Sequence, residues 1–145
     1  MENEFDGIIK LAYAIVTACC EDYREAYING NSNELTKCKS FLLSGEVEIF
    51  TSYTFYGKEI VATMDAELKK KYGTFEERRK KKAELFKLKI ENKKRQLEIV
   101  RNEIKDIMHD ESLSSDYRES MLVTLRNRRY RLIGEINRLK KEAKE

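Results

Sequence analysis

The chain has 145 residues, no proline and 38% charged side chains, against about 25% in typical soluble proteins, which describes a largely helical and heavily solvated molecule of one domain, or of one small domain with an appendage. No apolar run approaches the roughly 18 residues needed to span a bilayer, and the acidic start Met1-Glu2-Asn3-Glu4 is unlike a cationic signal peptide, so a cytoplasmic protein with no membrane partner is expected. The net charge of +3 hides a polarised layout: residues 1–68 carry a net of −7 and residues 69–145 a net of +10.

From Phe5 to Ile28 the residues Ile8, Leu11, Ala12, Ile15, Val16, Cys19 and Tyr23 recur at helical spacing and predict a first helix with this face turned inward. Asn29-Gly30-Asn31 ends it, glycine supplying the left-handed conformation of many helix stops. Asn33 is placed to cap a second helix through Leu43 that buries Leu35, Cys38, Phe41 and Leu42. Cys19, Cys20 and Cys38 have no metal-like spacing, and in a reducing cytosol they read as small apolar core residues.

Glu46 to Tyr56 supports two readings. Val47, Ile49, Thr51, Tyr53 and Phe55 alternate as a strand would. Ser44 could instead cap a short helix through Phe50, and no second strand exists to pair with. A short helix and a loop are expected. Lys58 to Tyr72 is a third helix burying Ile60, Val61, Met64 and Leu68, ended by Gly73. Thr74 and Glu77 have capping-box spacing and start the next helix.

The last seventy or so residues hold two matched seams. Ala83, Phe86, Ile90, Lys93, Leu97, Val100, Ile104 and Ile107 form one; Arg118, Leu122, Leu125, Arg129, Leu132, Ile136, Leu139 and Ala143 form the other. Asp110 to Ser115 is the one turn-like stretch between them, and so short a link makes the helices antiparallel. Lys93 and Arg129 then sit in the seam opposite Leu132 and Leu97, where long stems can reach outward and polar groups set register. The fold expected is all-α: an acidic helical head over 1–73 and a basic antiparallel coiled-coil helical hairpin over 74–145, with Phe75, Leu85 and Phe86 lending burial to the head.

The run Leu11-Ala12-Tyr13, Asp22-Tyr23-Arg24-Glu25-Ala26, Gly30-Asn31, Leu35, Cys38, Phe41-Leu42-Leu43-Ser44, Thr51, Gly57 and Ile60 resembles small proteins encoded by prophages, phages and plasmids of Gram-positive bacteria. The resemblance covers residues 8–68 and implies a mobile-element setting in a bacterial cytosol. It supplies no catalytic residue. By analogy of context it admits an inhibitor of host defence of the anti-CRISPR type.

No catalytic constellation, cofactor motif or glycine-rich phosphate loop occurs. His109 is the one histidine and lies beside Asp106, Asp110 and Glu111 at the turn, so a two-histidine metal site cannot form within one chain. An enzyme is not expected. Asp22 and Arg24 read as solvated, with Tyr23 packed inward.

Binding is the remaining class. Lys69-Lys70-Lys71 and the five consecutive cations Arg78, Arg79, Lys80, Lys81 and Lys82 are followed by Lys87, Lys89, Lys93, Lys94, Arg95, Arg101 and Lys105, then Arg126, Arg128, Arg129, Tyr130 and Arg131. Interleaved Glu84, Glu91, Glu98, Glu103 and Glu135 fit a solvated coiled coil, while the cationic excess fits a phosphate backbone. The polyanion-binding candidates are Arg78, Arg79, Lys80, Lys81, Lys82, Lys94, Arg95, Arg126, Arg128 and Arg131. Leu85, Leu88, Ile99, Met121, Tyr130 and Ile133, with Met108, flank the seam and are candidates for a partner or homodimer interface. The reading preferred is a non-enzymatic inhibitor that binds a host defence effector protein or its nucleic-acid complex. A stand-alone, sequence-indifferent nucleic-acid binder and a structural coiled-coil oligomer are the alternatives.

Overall fold

A computed structural model describes residues 4–145, with side chains from Asp6 onward; the acidic start at Met1–Asn3 lies outside the described residues. All regular structure among them is helical: α1 (Glu4–Asn29), α2 (Ser32–Leu42), α3 (Glu46–Phe50), α4 (Gly57–Tyr72), α5 (Phe75–His109) and α6 (Ser115–Glu142). The all-α expectation holds, and the ambiguous segment resolves as the short helix α3 followed by turns. The chain forms two compact units, Met1–Lys82 and Ala83–Glu145. The division falls beyond the 73/74 boundary expected from the sequence, because the first turns of α5 pack with the head.

In the first unit, Tyr23, Leu42 and Val47 are fully enclosed, with Val16, Cys38, Val61, Met64 and Leu68 around them. The Tyr23 hydroxyl donates to Asp65 on α4, and Asp65 also lies 3.9 Å from Lys39 Nζ on α2, so three helices meet at one carboxylate. Gly57 makes the α2–α4 crossing possible. A Cβ built on it would lie 1.6 Å from the Leu42 carbonyl oxygen, and its N–H donates to Glu48 Oε1 at 2.8 Å.

The end of α1 is fastened to the start of α5. Tyr27 donates its hydroxyl to the Gly73 carbonyl at 2.8 Å and its ring lies 5.4 Å from Phe75. Arg78 Nε donates to the Ile28 carbonyl at 2.8 Å, satisfying one of the acceptors that a helix end leaves open. Gly30, at φ +66°, fits against this turn: a Cβ there would come within 2.8 Å of the Arg78 carbonyl oxygen. The Thr74–Glu77 capping box is present in both directions. Phe75 packs on the head core as expected, whereas Leu85 is half exposed.

Three local expectations are corrected. Asn31, not Asn33, caps α2, its Oδ1 accepting the Glu34 N–H, because the left-handed Gly30 already turns the chain at that point. Gly45, not Ser44, is the residue at the start of α3, with Ser44 Oγ accepting the Glu46 N–H from just outside. Ile8, Leu11 and Ile15 are not core: they are 66%, 62% and 45% exposed. Only Ala12, Val16, Tyr23, Ala26 and Tyr27 along α1 are buried, since α2 and α4 cover a narrower arc than α1's apolar residues span.

The three thiols are not in disulfides, and burial pushes all of them up, Cys19 to about 12 with further repulsion from Cys38. Burial and the Asp65 carboxylate push the Tyr23 phenol up as well. In the unfolded chain the thiols titrate near their ordinary 9.0. Above that pH the unfolded state releases protons that the folded state keeps, so unfolding is favoured. Stability should therefore be complete at neutral pH and fall as pH rises from about 9 toward 12. Urea midpoints at pH 7, 9 and 10.5 check this, and a midpoint that holds at 10.5 refutes it.

In the second unit, Leu97, Val100 and Ile104 of α5 and Leu132 and Ile136 of α6 form one core, with Ile90, Leu122 and Leu125 packed on it. Lys93 in the middle of α5 meets Glu135 late in α6, Nζ to Oε2 at 2.7 Å, while Arg118 at the start of α6 meets Asp110 just past the end of α5, so the helices run in opposite directions. The turn is hydrogen-bonded throughout. Asp110 Oδ1 accepts from the Ser112 N–H and hydroxyl, which holds its carboxyl below the ordinary range, and Ser114 Oγ caps α6 at the Tyr117 N–H. Arg118 Nη2 donates to the carbonyls of Asp110 at 2.6 Å and Leu113 at 3.3 Å. Arg118→Ala should therefore lower the stability of this pair by about 1.5–3 kcal/mol, the range for hydrogen bonds made by a charged group. Arg118→Lys should recover only part of it, lacking the planar fork. Thermal unfolding of the two variants decides this, and an unshifted midpoint for Arg118→Ala rejects it.

Candidate nucleic-acid interface

The seam divides the surface of the α5–α6 pair into two flanks with opposite character. On one, Lys93 leaves its seam position to bond Glu135, and that hydrogen bond holds the Glu135 carboxyl below its ordinary range. Lys93 is thereby paired on this flank, where Arg131 and Arg138 also lie near the Glu135 carboxyl. On the other, Arg129 leaves the seam and joins Arg101 and Lys105 of α5 around an open hollow of about 400 Å³ floored by Ile104. A second hollow of about 480 Å³ continues from it, sharing Glu98 and Arg101, with Lys94 and Lys140 on its sides and Leu97, Ile133 and Ile136 beneath. The two make one groove with five cations along it. Glu98 is the one carboxylate in the lining, 3.8 Å from Arg101 and well exposed.

The helical repeat explains the placement. Lys94, Arg101 and Lys105 stand one, three or four positions from the seam residues Leu97 and Ile104, which sets them on one flank of α5. Arg126, Arg129, Ile133 and Lys140 repeat in the same way along the facing flank of α6. The charged side chains of the lining are exposed or half-buried, and the buried residues Leu97, Ile104 and Ile136 form only its floor, so binding there requires no opening of the core.

Among the residues singled out from sequence, Lys94 lies in the groove and Arg126 is one turn from Arg129 and Tyr130 on the same flank. Arg128 and Arg131 are exposed but project from other sides of α6, and Arg95 projects from the outer side of α5. Arg78 is half-buried and committed to the Ile28 carbonyl, with its guanidinium 6.0 Å from the Tyr72 ring centre, so it serves the fold. Arg79 makes an exposed 3.5 Å pair with Glu76. Lys80 and Lys81 are exposed and Lys82 is half-buried, all three within the head unit. Lys140 was missed by the sequence reading, Arg101 and Lys105 were noted only as basic material, and Arg129 was noted as basic material and as a seam residue that sets register. The signal that finds them is their common offset from the seam.

The apolar candidates do not share a side. Leu85, Leu88 and Ile99 are exposed on the outer side of α5, Met121 is half-buried beside the seam, Ile133 lines the groove, and Tyr130, next along the helix from Arg129, is exposed. Exposed apolar residues also occur on the head, Ile8, Leu11 and Ile15 on α1 and Ile49, Phe50, Tyr53 and Phe55 in α3 and the turns after it. Phe55 meets the Tyr13 ring edge-on at 5.6 Å, which ties that loop to the first half of α1. Exposed Glu21, Asp22 and Glu25 follow on the same helix.

His109 is exposed. Among the described residues no three His, Cys, Asp or Glu side chains are grouped to hold a metal ion, and no helix is long and apolar enough to cross a membrane.

No protein-family model matches this chain, and neither a curated protein nor a solved structure is significantly similar to it.

Proposed function

We propose that this is a non-enzymatic binding protein that engages a nucleic-acid-handling complex, its α5–α6 groove lying against the phosphate backbone and its head against protein. The observation that carries the reading is the groove on one flank of the α5–α6 pair, which keeps Lys94, Arg101, Lys105, Arg129 and Lys140 around a single carboxylate, while on the other flank Lys93 is paired with Glu135. Cations left in excess along a groove are suited to displacing counterions from a polyanion. In this reading α5 and α6 are an antiparallel coiled-coil hairpin, and Lys93 and Arg129 fix its register. The acidic head with uncovered Ile8, Leu11 and Ile15 supplies the contact to protein.

The specific form of the proposal is an inhibitor of a host defence effector, of the anti-CRISPR type, acting in a bacterial cytosol. It rests on the resemblance of residues 8–68 to mobile-element proteins. Affinity capture with the tagged chain from a bacterial lysate, with and without nuclease, tests it. A discrete protein partner that survives nuclease is the expected result. Recovery of nucleic acid alone favours the stand-alone binder, which the completeness of the groove within one chain supports. Recovery of neither, or of the chain's own copies alone, overturns the proposal in favour of a structural oligomer.

A further inference from the structure

We infer that the groove takes single-stranded nucleic acid, with Tyr130 stacking on an unpaired base. The inference rests on the polyanion reading above and adds the class of ligand. Tyr130 is 83% exposed, more than any other large apolar side chain among the described residues. It sits between Arg129, which lines one hollow of the groove, and Ile133 and Asn137, which line the other. Its ring is therefore at the groove's edge, one turn from Arg126.

Gly134 explains how the ring stays bare. Side chains on a helix lean toward its N-terminus, so the residue four positions after a tyrosine is the one that covers it. Here that residue is glycine, and a Cβ built on it would meet nothing within 4 Å. Glycine inside a helix costs stability relative to alanine, and no contact within the chain uses the space. The space is explained if something from outside lies over the ring.

Charge and shape together select the ligand. Between Glu119 and Glu135 the helix has four arginines and no acidic residue, so the surroundings favour an anion. A phosphate backbone alone needs cations and no aromatic. In a duplex the base faces are already stacked and out of the ring's reach, whereas a single strand offers a base face and a phosphate at every step. From Lys94 to Lys105 the groove runs about 17 Å along α5, which suits a short stretch of strand.

The test uses the full chain, a fluorescent 20-mer of deoxythymidine and a 20-base-pair duplex, with binding measured by anisotropy at two salt concentrations. The single strand should bind more tightly, and Tyr130→Ala should weaken it by about five- to a hundredfold, the range for one aromatic–base stack, without altering duplex binding. Tyr130→Phe should retain affinity. Gly134→Leu, which restores a covering side chain, should raise the melting temperature while weakening the single strand. Equal binding of strand and duplex, or equal losses on both with Tyr130→Ala, overturns the inference and leaves the polyanion reading standing. Binding of neither oligonucleotide by the unaltered chain removes that reading and the inference with it.

Discussion

Replacing Arg101, Lys105 and Lys140 by glutamate should flatten the salt dependence of oligonucleotide binding and remove most of the affinity. The five groove cations, if each neutralises one phosphate, imply a logarithmic salt slope of roughly −3.5 on a single strand. Affinity then falls about a hundredfold between 50 and 200 mM salt. With three of the five reversed the slope should drop to roughly −1.4 at most, and affinity at low salt should fall by a hundredfold or more. All three residues are exposed and outside the seam, so the melting curve should not move. Reversing Arg95, Arg128 and Arg131 instead makes the same change in net charge on other sides of the helices. If that variant loses as much as the first, binding follows overall charge and the groove is not the site.

Gly57→Ala should unfold the head. The added methyl would lie 1.6 Å from the Leu42 carbonyl oxygen, and Leu42 is itself fully enclosed. Neither can yield without moving α2 off α4. Overpacking usually costs 1–3 kcal/mol, and a clash with backbone belongs at or above the top of that range, about 3 kcal/mol or more. A domain of this size has about 4–12 kcal/mol to lose. Denaturant unfolding should show the first unit melting far earlier. Gly7→Ala is the control: no atom lies within 4 Å of a Cβ there, so the same substitution should be neutral or slightly stabilising. Similar behaviour of the two variants would mean that the α2–α4 crossing has slack.

The parts of this architecture that were legible in the sequence are those fixed by helical repeat and capping chemistry alone. Along α5 the residues that escape full exposure from Phe86 to Ile107 are the expected Phe86, Ile90, Lys93, Leu97, Val100, Ile104 and Ile107 together with Glu103, whereas Ala83, expected to begin the same stripe, is exposed. Thr74 and Glu77 could be paired because a capping box involves only neighbours. Ile8, Leu11 and Ile15 were misread because a stripe facing the core and a stripe facing outward have the same spacing; the difference lies in how wide an arc α2 and α4 cover. Arg78 looked like one of five equivalent cations, and only the approach of Ile28, fifty positions earlier, sets it apart. The groove was hidden for a related reason. Its cations are spread over two helices, and which flank keeps them is decided by where Lys93 and Arg129 turn, a choice the seam pattern leaves open.

The hydrogen-bonded turn at Asp110–Ser114 also orders the events of folding. Arg118 reaches Asp110 across only eight positions, and each later α5–α6 contact closes a loop nested around the one before. Such a pair can zip from its apex with little added loop entropy at each step. The head has no comparable start. Tyr23 finds Asp65 across 42 positions, Tyr27 finds Gly73 across 46, and Arg78 finds Ile28 across 50. During synthesis, then, the head emerges before the α5–α6 pair yet cannot finish until the opening turns of α5 have left the ribosome, while α5 and α6 can close on each other as soon as both exist.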